Sequence, residues 1–166
     1  IAAALLSGSA WAGLDPDKST VLITGANRGI GLEFVRQLSE RECNVIATAR
    51  KPAEAEALNA MAAAGGNIVV EALDVTDFEG MEALAGKYAD QPIDILLSNA
   101  ALTPRYKSAF KPVDGVDFET ARASYEINAL GPLKLAQLFM DNVAASEQKK
   151  IIAMSSKAGS FEAGPK

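Results

Sequence analysis

Thr20-Val21-Leu22-Ile23-Thr24 runs directly into Gly25-Ala26-Asn27-Arg28-Gly29-Ile30-Gly31, and this stretch decides the fold. The first five residues form a short β-branched apolar run, the signature of a parallel strand buried on both faces. After the glycines, Ile30, Phe34, Val35 and Leu38 recur at helical spacing up to about Arg41. A glycine turn between a strand exit and a helix entrance is where a phosphate-binding loop belongs. Glycine permits the tight turn and a close backbone approach to a pyrophosphate. The helix start adds N–H groups and positive dipole. The spacing G-x-x-x-G-x-G differs from the G-x-G-x-x-G of other dinucleotide folds, and it lacks the G-K-[ST] of a nucleotide triphosphatase. Gly25, Asn27, Arg28, Gly29, Ile30 and Gly31 are therefore candidate dinucleotide-binding residues.

Outward from this turn, strand and helix patterns alternate. Asn44–Ala49, Asn67–Leu73, Ile93–Leu97 and Lys150–Met154 read as further strands. Ala53–Ala64, a stretch marked by Phe78, Met81, Leu84 and Tyr88, and a long run from Asp117 to Ala145 read as helices. Asn99 to Val116 is mostly loop, broken by Pro104 and Pro112. Five strands separated by helices predict an α/β fold, a doubly wound parallel sheet with helices on both faces.

Composition narrows the chemistry. The chain has 166 residues, 16 Lys+Arg against 21 Asp+Glu, and no histidine. A net charge of −5 without a basic cluster argues against nucleic acid as a partner. The single cysteine, Cys43, excludes an internal disulfide framework and a Cys-based zinc site. Without histidine, Ser-His-Asp, Cys-His and His-metal chemistry all disappear, and no metal site is expected. Residues 1–12 are apolar and end in Ala10-Trp11-Ala12, the A-x-A form that signal peptidase accepts. They read as the remnant of an export signal or as an Ala-rich extension. Residues 13–19 read as a linker and 20–166 as the domain. No segment reaches the roughly 18 uninterrupted apolar residues of a transmembrane helix.

TGANRGIG (24–31), LDV (73–75), SNAA (98–101), Asn128 in INALG and MSS (154–156) occur in order, each after the appropriate element. With these five motifs the chain resembles the short-chain dehydrogenases/reductases from about Thr20 to its end, and most nearly C-factor-like bacterial members. The resemblance implies a seven-stranded Rossmann sheet in the order 3-2-1-4-5-6-7. It also implies hydride transfer between a nicotinamide cofactor and a small carbonyl or alcohol substrate, and a homodimer or homotetramer for the full-length form.

It assigns Asp74 and Val75 to the adenine ring, and Asn99, Ala100 and Ala101 to the cofactor. Ser98 stands where the family has its first Asn, and Ala101 where it has Gly. The methyl at 101 requires a negative φ or a backbone adjustment. Ser156 matches the catalytic serine, whose hydroxyl bonds the substrate oxygen, with Ser155 as its neighbour. Asn128 matches the asparagine that binds a water leading to the catalytic lysine. The alternative, read from its apolar neighbours alone, is an ordinary core amide capping the irregularity marked by Gly131-Pro132. An NAD enzyme places an acid after the second strand, for the ribose 2′-OH. Here that stretch is Thr48-Ala49-Arg50-Lys51. Arg50 and Arg28 suit a 2′-phosphate, so NADP is expected in preference to NAD.

The family's Tyr-x-x-x-Lys pair is absent from residues 1–166, because none of Tyr88, Tyr106 and Tyr125 is followed by lysine four residues on. The expectation is a chain truncated at its C-terminus and inactive as it stands. Two other readings stay open: a non-catalytic dinucleotide-binding or signalling module, and another Rossmann enzyme such as a methyltransferase, against which Arg50 counts. The substrate is not legible, although Leu102–Asp114, with Arg105, Tyr106, Lys107 and Lys111, is a candidate pocket rim. For location, a cofactor pool argues for the cytoplasm and the A-x-A motif for export; the cytoplasm is favoured.

Overall fold

A computed structural model describes residues 18–65, 67–103 and 112–156. Five parallel strands form one sheet: β1 (Thr20–Ile23), β2 (Asn44–Ala49), β3 (Ile68–Ala72), β4 (Ile95–Ser98) and β5 (Lys150–Ala153), in the order β3-β2-β1-β4-β5. Val21 lies opposite Val45 on one side and Ile95 on the other, so the central three strands are level. The chain builds outward from β1 through β2 to β3, then crosses to the other side for β4 and β5. Ligands of open α/β sheets bind where that direction reverses, outside the carboxyl ends of the strands. Here the reversal lies between β1 and β4.

Alternate residues of the three central strands feed two cores. Val21, Ile23, Val45 and Ala47 pack with Val35 of α1 (Gly29–Ser39) and Leu58 of α2 (Glu56–Ala63). On the other face, Leu22, Ile46 and Leu96 pack with Met81 of α3 (Phe78–Lys87) and with Leu135, Phe139 and Val143 of α5 (Gly131–Ala144). Burial on both faces is why the central strands β1, β2 and β4 read as apolar runs.

Three elements depart from the sequence reading. The stretch 53–64 divides into a 3-10 turn, Pro52–Glu54, and α2. β4 begins at Ile95 because the N–H of Ile93 donates to the carbonyl of Asn142, outside the ladder. The run 117–145 divides into α4 (Phe118–Tyr125), a π-helical turn (Glu126–Leu130) and α5. Asp117 caps α4 by accepting from the N–H groups of Glu119 and Thr120. Pro132 has no N–H to give to the preceding turn, which favours a register change just before it. At the other boundary, the expected linker 13–19 lies outside the described residues except for Lys18 and Ser19. Ser19 is buried, and its carbonyl accepts from the Asn44 N–H at 3.0 Å.

Asn142 fastens α3 to α5. Its buried Nδ2 donates to the carbonyls of Tyr88 at 2.7 Å and Gln91 at 2.9 Å. Asn142→Ala strands those acceptors in a buried site and should cost about 1–3 kcal/mol. Urea unfolding followed by circular dichroism measures this, and an unchanged midpoint would show that the carbonyls find water instead.

Candidate functional site

The glycine turn is held on both sides by backbone hydrogen bonds. The N–H of Thr24 donates to Leu97 at 3.0 Å, and that of Ala26 donates to Thr48 at 2.9 Å. Gly25 (φ +67°) and Gly29 (φ +57°) occupy the left-handed region, where a side chain is strained. Gly31 is helical, and its requirement is space. A Cβ there would overlap the Gly25 carbonyl oxygen and stand 2.6 Å from Asn99 Nδ2. A Cβ at Gly29, by contrast, meets nothing within 4 Å. Arg28 at the N-cap makes no side-chain cap, and the first turn of α1 holds no acid. The first N–H groups of α1 are therefore presented beside an open glycine, a donor set that fits a pyrophosphate.

Thr24, which the motif contains but the sequence reading did not single out, joins the turn to the end of β4. Its fully buried Oγ1 accepts from the N–H groups of both Asn99 and Ala100 at 3.0 Å. Asn99 Nδ2 donates back to the carbonyls of Thr24 at 3.0 Å and Gly25 at 3.2 Å. Asn99 thus acts from behind the turn, setting its shape. Ala101 is exposed and is not among the positive-φ residues, so its methyl is accommodated without strain. Ser98 and Thr48 flank Thr24 in register on the neighbouring strands. Both are buried, with hydroxyls that have no protein partner among the described residues.

Ile30, spaced as a core residue, is 63% exposed at the open start of α1. Val75 is buried, its side chain packed in the second core. Asp74 is tied locally, its Oδ1 accepting from the N–H of Thr76 at 3.0 Å and from its hydroxyl at 2.7 Å. The alternative of Asn128 as a core amide is corrected: the residue is exposed, in the π-turn, and its amide clasps the backbone of Leu102. Oδ1 accepts from the Leu102 N–H at 2.8 Å, and Nδ2 donates to the Leu102 carbonyl at 2.9 Å. Asn128 is thereby fixed to the segment that leaves β4 through Asn99. Ser155 and Ser156, both exposed, follow β5 along the same carboxyl edge, where the Met154 N–H donates to the Ser98 carbonyl at 2.9 Å.

The two arginines assigned to a 2′-phosphate are both exposed. The Ala26–Thr48 bond sets the glycine turn against the end of β2, so Arg28 and Arg50 flank one corner of the edge. Among the described residues neither is paired with a carboxylate. Tyr88 is not available for proton transfer. Its ring is buried, and its hydroxyl donates to Glu71 at 2.7 Å. Burial, reinforced by the Glu71 carboxylate, holds its pKa well above the ordinary phenol value. Glu71 is desolvated too, but hydrogen bonds from Lys87 and Tyr88 outweigh that and keep its carboxyl below the usual range. Tyr125 is exposed on α4. Tyr106 and most of the candidate pocket rim, including Arg105, Lys107 and Lys111, lie outside the described residues. A concavity of about 450 Å³ lined by Lys18, Ser39, Glu42, Asn44 and Asn67 opens at the amino end of the sheet, away from this machinery.

Comparison with known proteins identifies the family. The family model for short chain dehydrogenase matches residues 19–165. The chain belongs to that family. An uncharacterized oxidoreductase of Schizosaccharomyces pombe is 33% identical over 144 residues, covering 85% of this chain and 55% of the relative. A short-chain dehydrogenase/reductase of an Arthrinium species is 35% identical over 153 residues, covering 87% and 57%. Among solved structures, the NADPH-bound carbonyl reductase from chicken fatty liver superposes with a TM-score of 0.77 at 31% identity, over 87% of this chain and 62% of that one. The carbonyl reductase Sniffer of D. melanogaster gives 0.76 at 26%, over 87% and 64%. The chain spans just over half the length of the curated relatives it matches. Among the described residues no helix is long and apolar enough to cross a membrane, and no group of residues is placed to hold a metal ion.

Proposed function

We propose that the chain carries the cofactor-binding half of an NADP-dependent oxidoreductase acting on a carbonyl or alcohol. The observation that carries this reading is the glycine turn itself. Gly31 is packed so tightly that only glycine fits, while Gly29 and the uncapped start of α1 face open space. That division suits a backbone cradle for phosphate. Gly25, Asn27, Gly29, Ile30 and Gly31 would border the dinucleotide, with Asp74, Val75 and the 99–101 turn on its flanks. The nicotinamide, when bound, supplies or accepts the hydride. Ser156 would hold the substrate oxygen by a hydrogen bond, and Asn128 would position the site through Leu102. Residues 1–166 contain no Tyr-x-x-x-Lys; we expect them to bind dinucleotide without reducing a carbonyl, as the non-catalytic alternative also requires. A reduced-cofactor pool favours the cytoplasm. The exposed stripe Phe118, Tyr125, Leu133 and Met140 along α4 and α5 suits self-association into a homodimer or homotetramer.

The choice of NADP rests on Arg50, which follows the second strand where NAD enzymes carry an acid, and on Arg28 in the glycine turn, neither of them paired with a carboxylate among the described residues. NADPH should bind more tightly than NADH. Arg50→Asp should weaken NADPH by about 10- to 100-fold, because a phosphate partner becomes a like charge worth about 1–3 kcal/mol. Calorimetric titration of both cofactors against both proteins reads this directly. Equal NADPH affinity in wild type and variant would remove Arg50 from the site.

A further inference from the structure

Gly131 is the first residue of α5, immediately after the π-turn, and its φ of −56° is ordinary for a helix. Its backbone therefore does not call for glycine, and alanine is the better helix former. What calls for glycine is Val75. A Cβ at 131 would stand 2.9 Å from the Val75 carbonyl oxygen, 3.1 Å from its Cβ and 3.4 Å from its Cγ2. The first of these is backbone and has no side-chain rotation with which to give way. Val75 in turn is buried in the second core and belongs to the turn in which Asp74 binds Thr76. Three residues before Gly131, Asn128 clasps the backbone of Leu102. The Gly131 N–H donates to the carbonyl of Glu126, which closes the π-turn between the two contacts.

We propose that Gly131 is a positioning residue whose missing side chain seats the π-turn helix on Val75. One contact then sets both the Asp74–Val75 border of the dinucleotide site and the Asn128–Leu102 clasp. The inference rests on the proposed dinucleotide binding at Asp74 and Val75, and it adds a mechanical link between that border and the Asn128 helix. Displacing the helix by a few tenths of an ångström moves the adenine side of the site without touching the glycine turn.

The test compares two helical glycines in the 166-residue chain. Gly131→Ala meets Val75, whereas Gly86→Ala, in α3, meets nothing within 4 Å and gains the same helix propensity. We expect Gly131→Ala to raise the Kd for NADPH about tenfold, and that for adenosine 2′,5′-bisphosphate by the same factor, because a sub-ångström misplacement is enough for such a loss. Gly86→Ala should leave both unchanged. Should Gly131→Ala fail to fold, hydrogen exchange on the wild type decides: NADPH should protect the amides of 75–77 and of 127–131 together. A folded Gly131→Ala protein that binds both ligands as the wild type does, or protection confined to 75–77, overturns the link while leaving the binding reading intact. A wild type that binds neither ligand overturns the binding reading and this inference with it.

Discussion

Gly31→Ala is expected to abolish detectable NADPH binding and to destabilise the fold by about 1–3 kcal/mol, the usual cost of overpacking a closed site. The added methyl would overlap the Gly25 carbonyl and crowd Asn99 Nδ2. Neither partner can step aside cheaply. Gly25 is held at positive φ with no room for a Cβ beside Ala100, and Asn99 is bound to Thr24 through both its backbone and its amide. The damage should therefore spread through Thr24 into the exit of β4. Thermal unfolding and a NADPH titration on the same sample separate the two losses. A Gly31→Ala protein that keeps its affinity would mean that the turn is only a bend between β1 and α1.

Ser156→Ala, in a chain that also carries a Tyr-x-x-x-Lys pair, is expected to lower kcat by about two orders of magnitude or more. The Kd for NADPH should barely move, since the hydroxyl is assigned to the substrate oxygen and not to the dinucleotide. Steady-state kinetics with a ketone, run beside a cofactor titration, gives both numbers. Normal kcat would shift the role to Ser155, the next hydroxyl along the same strand exit.

The parallel sheet was legible because its central strands are buried on both faces and bounded by glycine or proline. β2 falls on the expected residues, and the other strands differ by two residues or fewer at either end. What escaped were contacts between distant segments. Nothing local in Ile93 says that its N–H will go to Asn142, and this moved the start of β4. Helical spacing put Ile30 on the core face, but at the start of α1 it is exposed while its neighbour Gly31 is the buried residue. Asn128 resembled a core amide because its neighbours are apolar, and the π-turn rotates it out to meet Leu102. Gly131 gave only the hint of a glycine in a helix, whose reason lies 56 residues earlier at Val75. Thr24 was visible in the motif, yet its work is done behind the site, on Asn99 and Ala100.

The most direct test is to titrate the 166-residue chain with NADPH and with NADH by isothermal calorimetry under the same conditions. Saturable binding at one site per chain, tighter for NADPH than for NADH, is the expected result. Absence of binding to either cofactor would contradict dinucleotide recognition by the glycine turn, and tighter binding of NADH would contradict the roles given to Arg28 and Arg50.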